Sequence, residues 1–356
     1  MNQDAKTVSL IQEVSQLKGQ LKKSYLKQGI FKALAIEMES WIVPIKPLPR
    51  VIERADDSKI IEHAVLHLSD EHADQIVEAH RVGFMEDFNF EVALCRAEKL
   101  IDTVIDWTQN KLPMHSFPVL HIFLNGDHTS GEIHGATSHS HHRNMFRNAL
   151  SIAQMHALMF RDLAPYFPKI KIYCTSGNHG RRSTKKNYYG PWDNWDYLIH
   201  ENARQLCANI PNIEFFIPES FSMNVIINGH GFHVCHGDDV KGWMGIPWYG
   251  LERKTRRLVS LHQSQGQKVD YFVFGHFHAA STSADLTGEM IINGAFAATD
   301  PYSYDSFSGY RTPMQMFHGV HHKHGISWRL PVKIKDTKAE AKGPRRYKIK
   351  LSTPEG

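Results

Sequence analysis

Five short polar clusters contain the side chains that this sequence could use for chemistry. They begin at Ser69, Asn125, Ser176, His236 and Gly275, and they read SDEH, NGDH, SGNHG, HGDD and GHFH. Aspartate, histidine and asparagine recur among them, and these residue types bind ions such as Mn, Fe and Zn. Each cluster follows a short apolar run, and open α/β sheets bind ligands at the carboxyl ends of their strands. The sequence therefore predicts a metal centre at one edge of a sheet.

Residue spacing within two clusters supports this interpretation. Asp70 and His72 lie two positions apart, as do His276 and His278. On an extended segment, such a pair points to one side and can chelate a single ion. A single pair of this kind often arises by chance. The five clusters together, each after a strand, are far more specific.

The elements that must position these clusters alternate along the chain. Strands are predicted at 64–68, 119–124, 170–174, 223–227, 232–235, 271–274 and 290–292, and helices at 90–110, 142–164 and 194–208. Asn228-Gly229 separates two of the strands and supplies the residues of a tight hairpin turn. This pattern predicts an α/β layered fold with a mixed sheet.

Composition excludes several classes of protein. The 356 residues are 42% hydrophobic and 22% charged, which is typical of a globular chain rather than a disordered one. The net charge is 41 − 37 = +4, while 24 histidines favour a metal site. Four cysteines without a C-x-x-C pair indicate neither a zinc ribbon nor a disulfide framework. With no signal-peptide pattern and no run of 18 apolar residues, we expect a soluble intracellular protein without a membrane partner.

The chain is expected to divide into four regions. Residues 1–40 are predicted to form an N-terminal helix, and 41–60 a proline-rich connector. Residues 61–335 would form the catalytic domain, and 336–356 a basic tail. The helix carries apolar residues in a 4-3-4 spacing at Leu10, Val14, Leu17 and Leu21. This stripe either joins subunits into a homo-oligomer or docks on the same domain.

The ordered motifs D-x-H, G-D, G-N-H, H and G-H-x-H resemble those of the calcineurin-like metallophosphoesterase superfamily, over about residues 62–335. The resemblance implies two packed mixed β-sheets flanked by helices, a four-layer sandwich that holds two divalent ions, with Mn²⁺ expected and Fe or Zn as alternatives. It implies that Asp127 bridges the ions. The other implied ligands are Asp70, His72 and His278 for one ion, and Asn178, His236 and His276 for the other.

The resemblance also implies a mechanism, in which a hydroxide bridging the metals attacks phosphorus in line. His179 would be a catalytic residue that donates to the leaving oxygen. Two departures from the family pattern concern this histidine, because Gly180 and Ser130 stand where many members have acids. Without these acids, the partner that orients His179 is unassigned. The nearby candidates are Glu132, Asp238 and Asp239.

Basic residues suggest the substrate. Arg181, Arg182, Lys185 and Lys186 follow the G-N-H motif, with Tyr188, Tyr189, Trp192 and Trp195 close behind. Cations with aromatic neighbours suit nucleic acid. A second basic run comprises Arg253, Lys254, Arg256 and Arg257.

The segment 177–198 also resembles a phage and prophage group of these phosphoesterases described as nucleases or DNA-repair exonucleases. A DNA nuclease in the cytoplasm of a bacterial host is therefore the leading hypothesis. A phosphomonoesterase or a small-molecule phosphodiesterase with the same metals is the alternative. A non-enzymatic scaffold is disfavoured by the complete ligand set.

Overall fold

The computed structural model describes residues 42–50, 59–133, 144–184, 190–240 and 246–349, together with Lys18. They belong mainly to a compact unit that spans Pro44–Leu351. The predicted N-terminal helix and the substrate-binding candidates Lys185 and Lys186 lie outside the described residues. So do Tyr188 and Tyr189.

Fourteen strands and six α-helices are formed by the described residues. The strands are β1 (Ile60–Leu68), β2 (His115–Ser116), β3 (Val119–Asn125), β4 (Lys169–Thr175), β5 (Ile213–Phe216), β6 (Ser222–Ile227), β7 (His230–Cys235), β8 (Tyr271–Phe274), β9 (Ser281–Asp285), β10 (Gly288–Ile292), β11 (Met314–Gln315), β12 (Phe317–His321), β13 (Gly325–Arg329) and β14 (Val332–Lys333). The helices are α1 (Phe90–Asp106), α2 (Met145–Leu163), α3 (Trp195–Leu206), α4 (Trp248–Ser264), α5 (Pro301–Phe307) and α6 (Thr337–Glu340).

The strands form two large mixed sheets and a small β11–β14 pair. The first sheet has the order β13-β12-β1-β3-β4-β5, with β2 beside β1. Its strands β1, β3, β4 and β5 are parallel. Strand β12 is antiparallel to β1, and β13 is antiparallel to β12. The second sheet has the order β6-β7-β8-β10-β9, with β7, β8 and β10 parallel. The carboxyl ends of parallel strands lie at the same edge of a sheet, so the loops that follow them are close together at that edge.

The two sheets pack face to face over an apolar core. Val65, Phe123 and Tyr173 of the first sheet meet Phe232 and Val273 of the second within one buried cluster. Alternate residues along each strand face the other side of the sheet. Burying both faces explains why these strands are almost continuously apolar.

Helices cover the outer faces of both sheets. Phe160 of α2 lies edge-on to Phe215 of β5, and α3 contacts β4. On the second sheet, Leu251 and Leu258 of α4 pack against Phe274 and other outer-face residues. The described residues therefore form helix, sheet, sheet and helix layers, as the family resemblance implied.

Most predicted elements are confirmed. The predicted hairpin is present, and Asn228 and Gly229 both adopt positive φ at its turn (49° and 91°). The predicted helix at 142–164 is observed from Met145, where Asn144 accepts a capping hydrogen bond from the amide of Arg147. Helix α4 and the strands β5, β9, β12 and β13 were not predicted from the sequence.

The end of the described chain differs from the predicted basic tail. Residues 336–349 fold back on α1, where Glu340 pairs with the buried Arg96 at 2.9 Å. Tyr347 is fully buried, and Arg346 pairs with Asp102 and Asp162. The boundary at residue 335 is therefore too early, because basic residues in this segment find acidic partners on the body.

Two further features concern membrane-spanning helices and the cysteines. No helix among the described residues is long and apolar enough to cross a membrane. All four cysteines are buried as free thiols.

Candidate metal centre

Hydrogen bonds join the two sheets at the edges where the carboxyl ends of their parallel strands lie. The amide of His276, after β8, donates to Asp70 Oδ1 after β1 at 2.8 Å. The side chain of Asn125, at the end of β3, donates to the carbonyl of Cys235 at the end of β7 at 3.0 Å. His236 Nδ1 donates in turn to the Asn125 carbonyl at 2.8 Å. The clusters predicted from the sequence therefore meet in one place.

The first group of candidate ligands comprises Asp70, His72 and His278. Their ligand atoms all lie within 4.8 Å of one another. His278 Nε2 lies 3.4 Å from Asp70 Oδ1 and 3.3 Å from His72 Nε2. A carboxylate and two imidazoles at such separations could hold one divalent ion.

The second group comprises Asp127, His236 and His276. His236 Nε2 lies 2.8 Å from Asp127 Oδ2. Because His236 donates from Nδ1 to a carbonyl, its Nε2 is the nitrogen that faces Asp127 and can serve as the ligand. Asn178, which the sequence assigned to the same ion, is buried in the loop after β4.

Asp127 connects the two groups. It belongs to a third set of possible ligands with His72 and His179, within the same 4.8 Å limit. Its carboxylate therefore lies within reach of side chains from both halves of the site. A carboxylate has lone pairs on two oxygens and can bind two ions.

Three buried ligand atoms indicate that these residues fit a metal. Asn178 Oδ1 has no hydrogen-bond partner among the described residues, and Asp127 Oδ2 and His236 Nε2 have none there besides each other. Buried polar atoms are normally paired, and unpaired ones need a physical reason. A divalent cation would satisfy all three, since each can offer a lone pair.

The backbone at the candidate ligands is strained. Asp70, His72, Asp127, His276 and His278 all have positive φ, between 41° and 65°. Such conformations are uncommon for residues other than glycine and cluster at functional sites. The spacing of Asp70 and His72 suggested an extended segment, but their positive φ angles exclude one. Their convergence comes from tight turns after the strand.

Two glycines allow the loops after β3 and β4 to touch. A Cβ on Gly126 would lie 2.3 Å from the amide nitrogen of Gly177, and one on Gly177 would lie 2.2 Å from Asp127 Oδ1. Only glycine permits this approach. It brings Asp127 against the G-N-H loop.

The electrostatics favour positive charge between the two sheets. Burial raises the pKa of Asp127, but the His236 and His179 imidazoles lower it well below its usual range. Burial lowers the pKa of His236, but Asp127 and Asp70 raise it to about 10. Burial likewise raises the pKa of Asp70, and His278 lowers it below its ordinary value. The ionised Asp70 and Asp127 carboxylates therefore favour a cation beside them, a charge that a metal ion would supply.

His179 faces the first group, and its ring centroid lies 4.6 Å from that of His72. Its Nδ1 lies 3.0 Å from the carbonyl oxygen of Ser130, which can only accept a hydrogen bond. The backbone carbonyl of Ser130 therefore helps to orient His179. Its own amide donates to Asp127 Oδ1 at 2.8 Å.

Asp196 organises the site, although sequence reasoning did not single it out. This buried carboxylate at the start of α3 accepts hydrogen bonds from the amides of Asp127, His128 and Gly177, at 2.9, 3.2 and 2.9 Å. It fixes the loops after β3 and β4 relative to each other. Nothing near Asp196 in the sequence indicates this role, because the amides that it binds lie 19 to 69 residues away in the chain.

A cavity of about 410 Å³ adjoins the second ligand group. Arg181, Arg182, His236, Asp238 and Lys254 are among its lining residues. Arg182 pairs with Asp193 at 2.9 Å, and Lys254 pairs with Asp239 at 2.5 Å. The two predicted basic runs therefore meet at this cavity, where acidic residues offset part of their charge.

The rest of the second basic run faces elsewhere. Arg253, Arg256 and Arg257 line an open groove along α4 with the exposed Tyr249. Of the predicted aromatic residues, Trp192 is exposed, whereas Trp195 packs edge-on against Phe146.

No protein-family model matches the chain, and no curated protein sequence matches it. Several solved structures resemble it at low identity. Vps29 of Entamoeba histolytica bound to Zn²⁺ is 10% identical, covers 76% of this chain and 99% of its own, and gives a TM-score of 0.34. An archaeal phosphodiesterase is also 10% identical, covers 75% and 99%, and gives 0.34. A hypothetical protein of Pyrococcus horikoshii is 8% identical, covers 80% and 92%, and gives 0.41. At these TM-scores, function must be argued from the side chains of this chain.

Proposed function

We propose that this chain is a dinuclear metal-dependent phosphodiesterase. The position of Asp127, within ligand reach of both groups of side chains, is the observation that carries the proposal. Asp70, His72 and His278 would hold one ion, and Asn178, His236 and His276 the other. Asp127 would be shared between them. Mixed carboxylate, amide and imidazole ligands suit Mn²⁺, our first choice, and also Fe or Zn.

The residues of the chain have separate tasks in this proposal. Divalent ions supply Lewis-acid chemistry, because they lower the pKa of water and neutralise charge on phosphate oxygens. Asp196 holds the two central loops in register. Nδ1 of His179 is held by the Ser130 carbonyl, so Nε2 faces the ligand groups and can donate to a leaving oxygen when protonated.

We propose DNA as the substrate. The support is the cavity beside the second ligand group. This cavity is about large enough for a nucleotide, and Arg181 and Lys254 are among its lining residues. The groove with Arg253, Arg256 and Arg257 offers a further cationic surface for a phosphate backbone. By its resemblance to phage phosphoesterases, such an enzyme would act in the cytoplasm of a bacterial host.

A small-molecule phosphodiester is the second candidate substrate. Asp193, Asp238 and Asp239 line the same cavity and reduce its net positive charge. These aspartates offset Arg181, Arg182 and Lys254, so the cavity gives a polyanion little electrostatic advantage over a compact, singly charged ester.

Hydrolysis assays distinguish these substrates. Labelled single- and double-stranded DNA, bis-p-nitrophenyl phosphate and p-nitrophenyl phosphate are incubated with the full-length chain and Mn²⁺, Zn²⁺ or Mg²⁺. A nuclease cuts DNA in the presence of Mn²⁺, and a small-molecule phosphodiesterase cuts only the bis ester. Preference for the mono ester would contradict the phosphodiesterase proposal.

The Asp127→Asn variant, purified in parallel, controls for contaminating nucleases. Asparagine keeps an oxygen that can accept from the His179 amide, so the loop stays in place. DNA cleavage that is equal in the variant and the wild type would come from a contaminant.

A further inference from the structure

A second cluster of potential ligands lies beside the centre just described. Glu71 follows β1, His128 follows β3, and His156 is on α2. Their ligand atoms all lie within 4.8 Å of one another, and all three side chains are fully buried. Glu71 stands between Asp70 and His72 in the sequence, yet its side chain reaches α2 and contributes to neither ligand group of the first centre.

The carboxylate of Glu71 is the hub of this cluster. Its Oε2 lies 2.8 Å from His128 Nδ1 and 2.6 Å from His156 Nε2. A third imidazole, His200 on α3, lies with its ring centroid 5.1 Å from that of His128 and is also buried. Glu71, His128 and His156 therefore converge on one buried point, and His200 lies beside it.

Hydrogen bonds alone do not satisfy this cluster. Glu71 Oε1 and His200 Nε2 are buried without a hydrogen-bond partner among the described residues. Because native interiors pair nearly all such atoms, the unpaired Glu71 oxygen beside two imidazoles indicates a missing ligand.

The donor set matches zinc. Zinc binds imidazole nitrogen and carboxylate oxygen at about 2.0–2.2 Å, usually with four ligands in structural sites. Bonds of that length place neighbouring ligand atoms roughly 3.3 Å apart in a tetrahedral site. The two Glu71 separations, 2.8 and 2.6 Å, need to widen by roughly 0.5 and 0.7 Å to reach this value. Glu71 Oε1 and His200 Nε2 provide the remaining ligand capacity.

We propose that Glu71, His128, His156 and His200 bind a third metal ion, a structural Zn²⁺. It would tie the loops after β1 and β3 to helices α2 and α3, directly behind the loops that carry Asp70 and Asp127. Such a site contributes to folding rather than to the reaction, since its ligands are closed off from solvent. It is independent of the phosphodiesterase proposal, because the two centres share no ligand.

Metal counting tests this site. Full-length protein from zinc-supplemented medium is freed of loose metal by gel filtration, and bound ions per chain are measured by plasma mass spectrometry. We expect three ions in the wild type, two in His156→Ala and one in Asp127→Asn. His318→Ala, which removes a buried histidine between the sheets, is the matched control and should keep three.

The outcomes separate the two proposals. Two ions in the wild type, both lost in Asp127→Asn, would overturn the third site and leave the dinuclear centre standing. A single ion in the wild type that is lost in His156→Ala but retained in Asp127→Asn would support the third site and overturn the dinuclear centre.

Anomalous scattering at the zinc edge from wild-type crystals covers the case in which His156→Ala does not fold. A peak within bonding distance of Glu71, His128 and His156 supports the site, and the absence of such a peak contradicts it.

Discussion

The amide nitrogen of His276 lies 2.8 Å from Asp70 Oδ1, although 206 residues separate the two in the chain. Asp70 lies in the loop after β1 of the first sheet, and His276 lies in the loop after β8 of the second. Both residues have positive φ, at 54° and 65°. One hydrogen bond thus joins two strained turns, and it aligns the ligand groups that the two sheets contribute.

Asp127→Asn should release both ions of the proposed dinuclear centre and reduce hydrolysis to background. The amide carries no charge, so it cannot offset the repulsion between two cations that share one ligand. Metal content and turnover are measured on the same sample. Two ions still bound at this centre in the variant would contradict the shared role of Asp127.

His179→Ala should retain the metals and lower turnover on DNA by about 10²–10⁴-fold, the usual contribution of a proton donor. The loss on bis-p-nitrophenyl phosphate should be much smaller, because p-nitrophenolate leaves without a proton. His236→Ala, which removes a proposed ligand, should damage both reactions and lower metal content. Equal losses on the two substrates in His179→Ala would indicate that this residue only positions the phosphate.

Asp196→Ala should lower the free energy of unfolding by about 3 kcal/mol or more, since it leaves three buried amides without an acceptor. Urea denaturation of the metal-free protein measures this change. Asp193→Ala, three residues earlier in the chain, removes a surface ion pair and should change stability by less than about 1 kcal/mol. Similar values for both variants would show that Asp196 does not organise the loops.

Acid should destabilise the folded chain below about pH 6.5, in part through His67. This histidine is buried between the sheets, and burial lowers its pKa from 6.5 to about 3. Between these values the unfolded chain binds the proton and the folded chain does not. Stability from this group is therefore complete above pH 6.5 and falls by about 1.4 kcal/mol per pH unit below it.

Denaturation of metal-free His67→Leu at pH 7, 6 and 5 measures the contribution of His67 to the free energy of unfolding. The fall of this free energy with pH should be smaller than in the wild type by about 1.4 kcal/mol per pH unit. The neighbouring Phe123→Leu is the control. It should lower stability at every pH without changing the slope. An unchanged slope in His67→Leu would mean that His67 is protonated in the folded state.

Deletion of residues 1–40 should lower the oligomeric mass and leave the metal content intact. The apolar spacing of Leu10, Val14, Leu17 and Leu21 is typical of a seam between helices. Light scattering gives the mass. An unchanged mass would show that this segment does not join subunits.

The sequence alone determined which strands end in candidate ligands. A strand, the glycine after it and the polar residues that follow are neighbours in the chain, so local patterns are sufficient to find Asp70, Asp127 and His236. The hairpin at Asn228-Gly229 was predictable for the same reason, because its turn depends on two adjacent residues. The layered α/β fold followed from the alternation of these elements.

Only the tertiary structure decided which groups support those ligands. The contacts of Asp196 with the amides of Asp127 and Gly177 and the carbonyl of Ser130 beside His179 join loops that are 19 to 69 residues apart. The convergence of Glu71 on His156 likewise depends on how α2 packs behind the first sheet. Such contacts form when sheets and helices close around a common core, and no spacing within one segment specifies them.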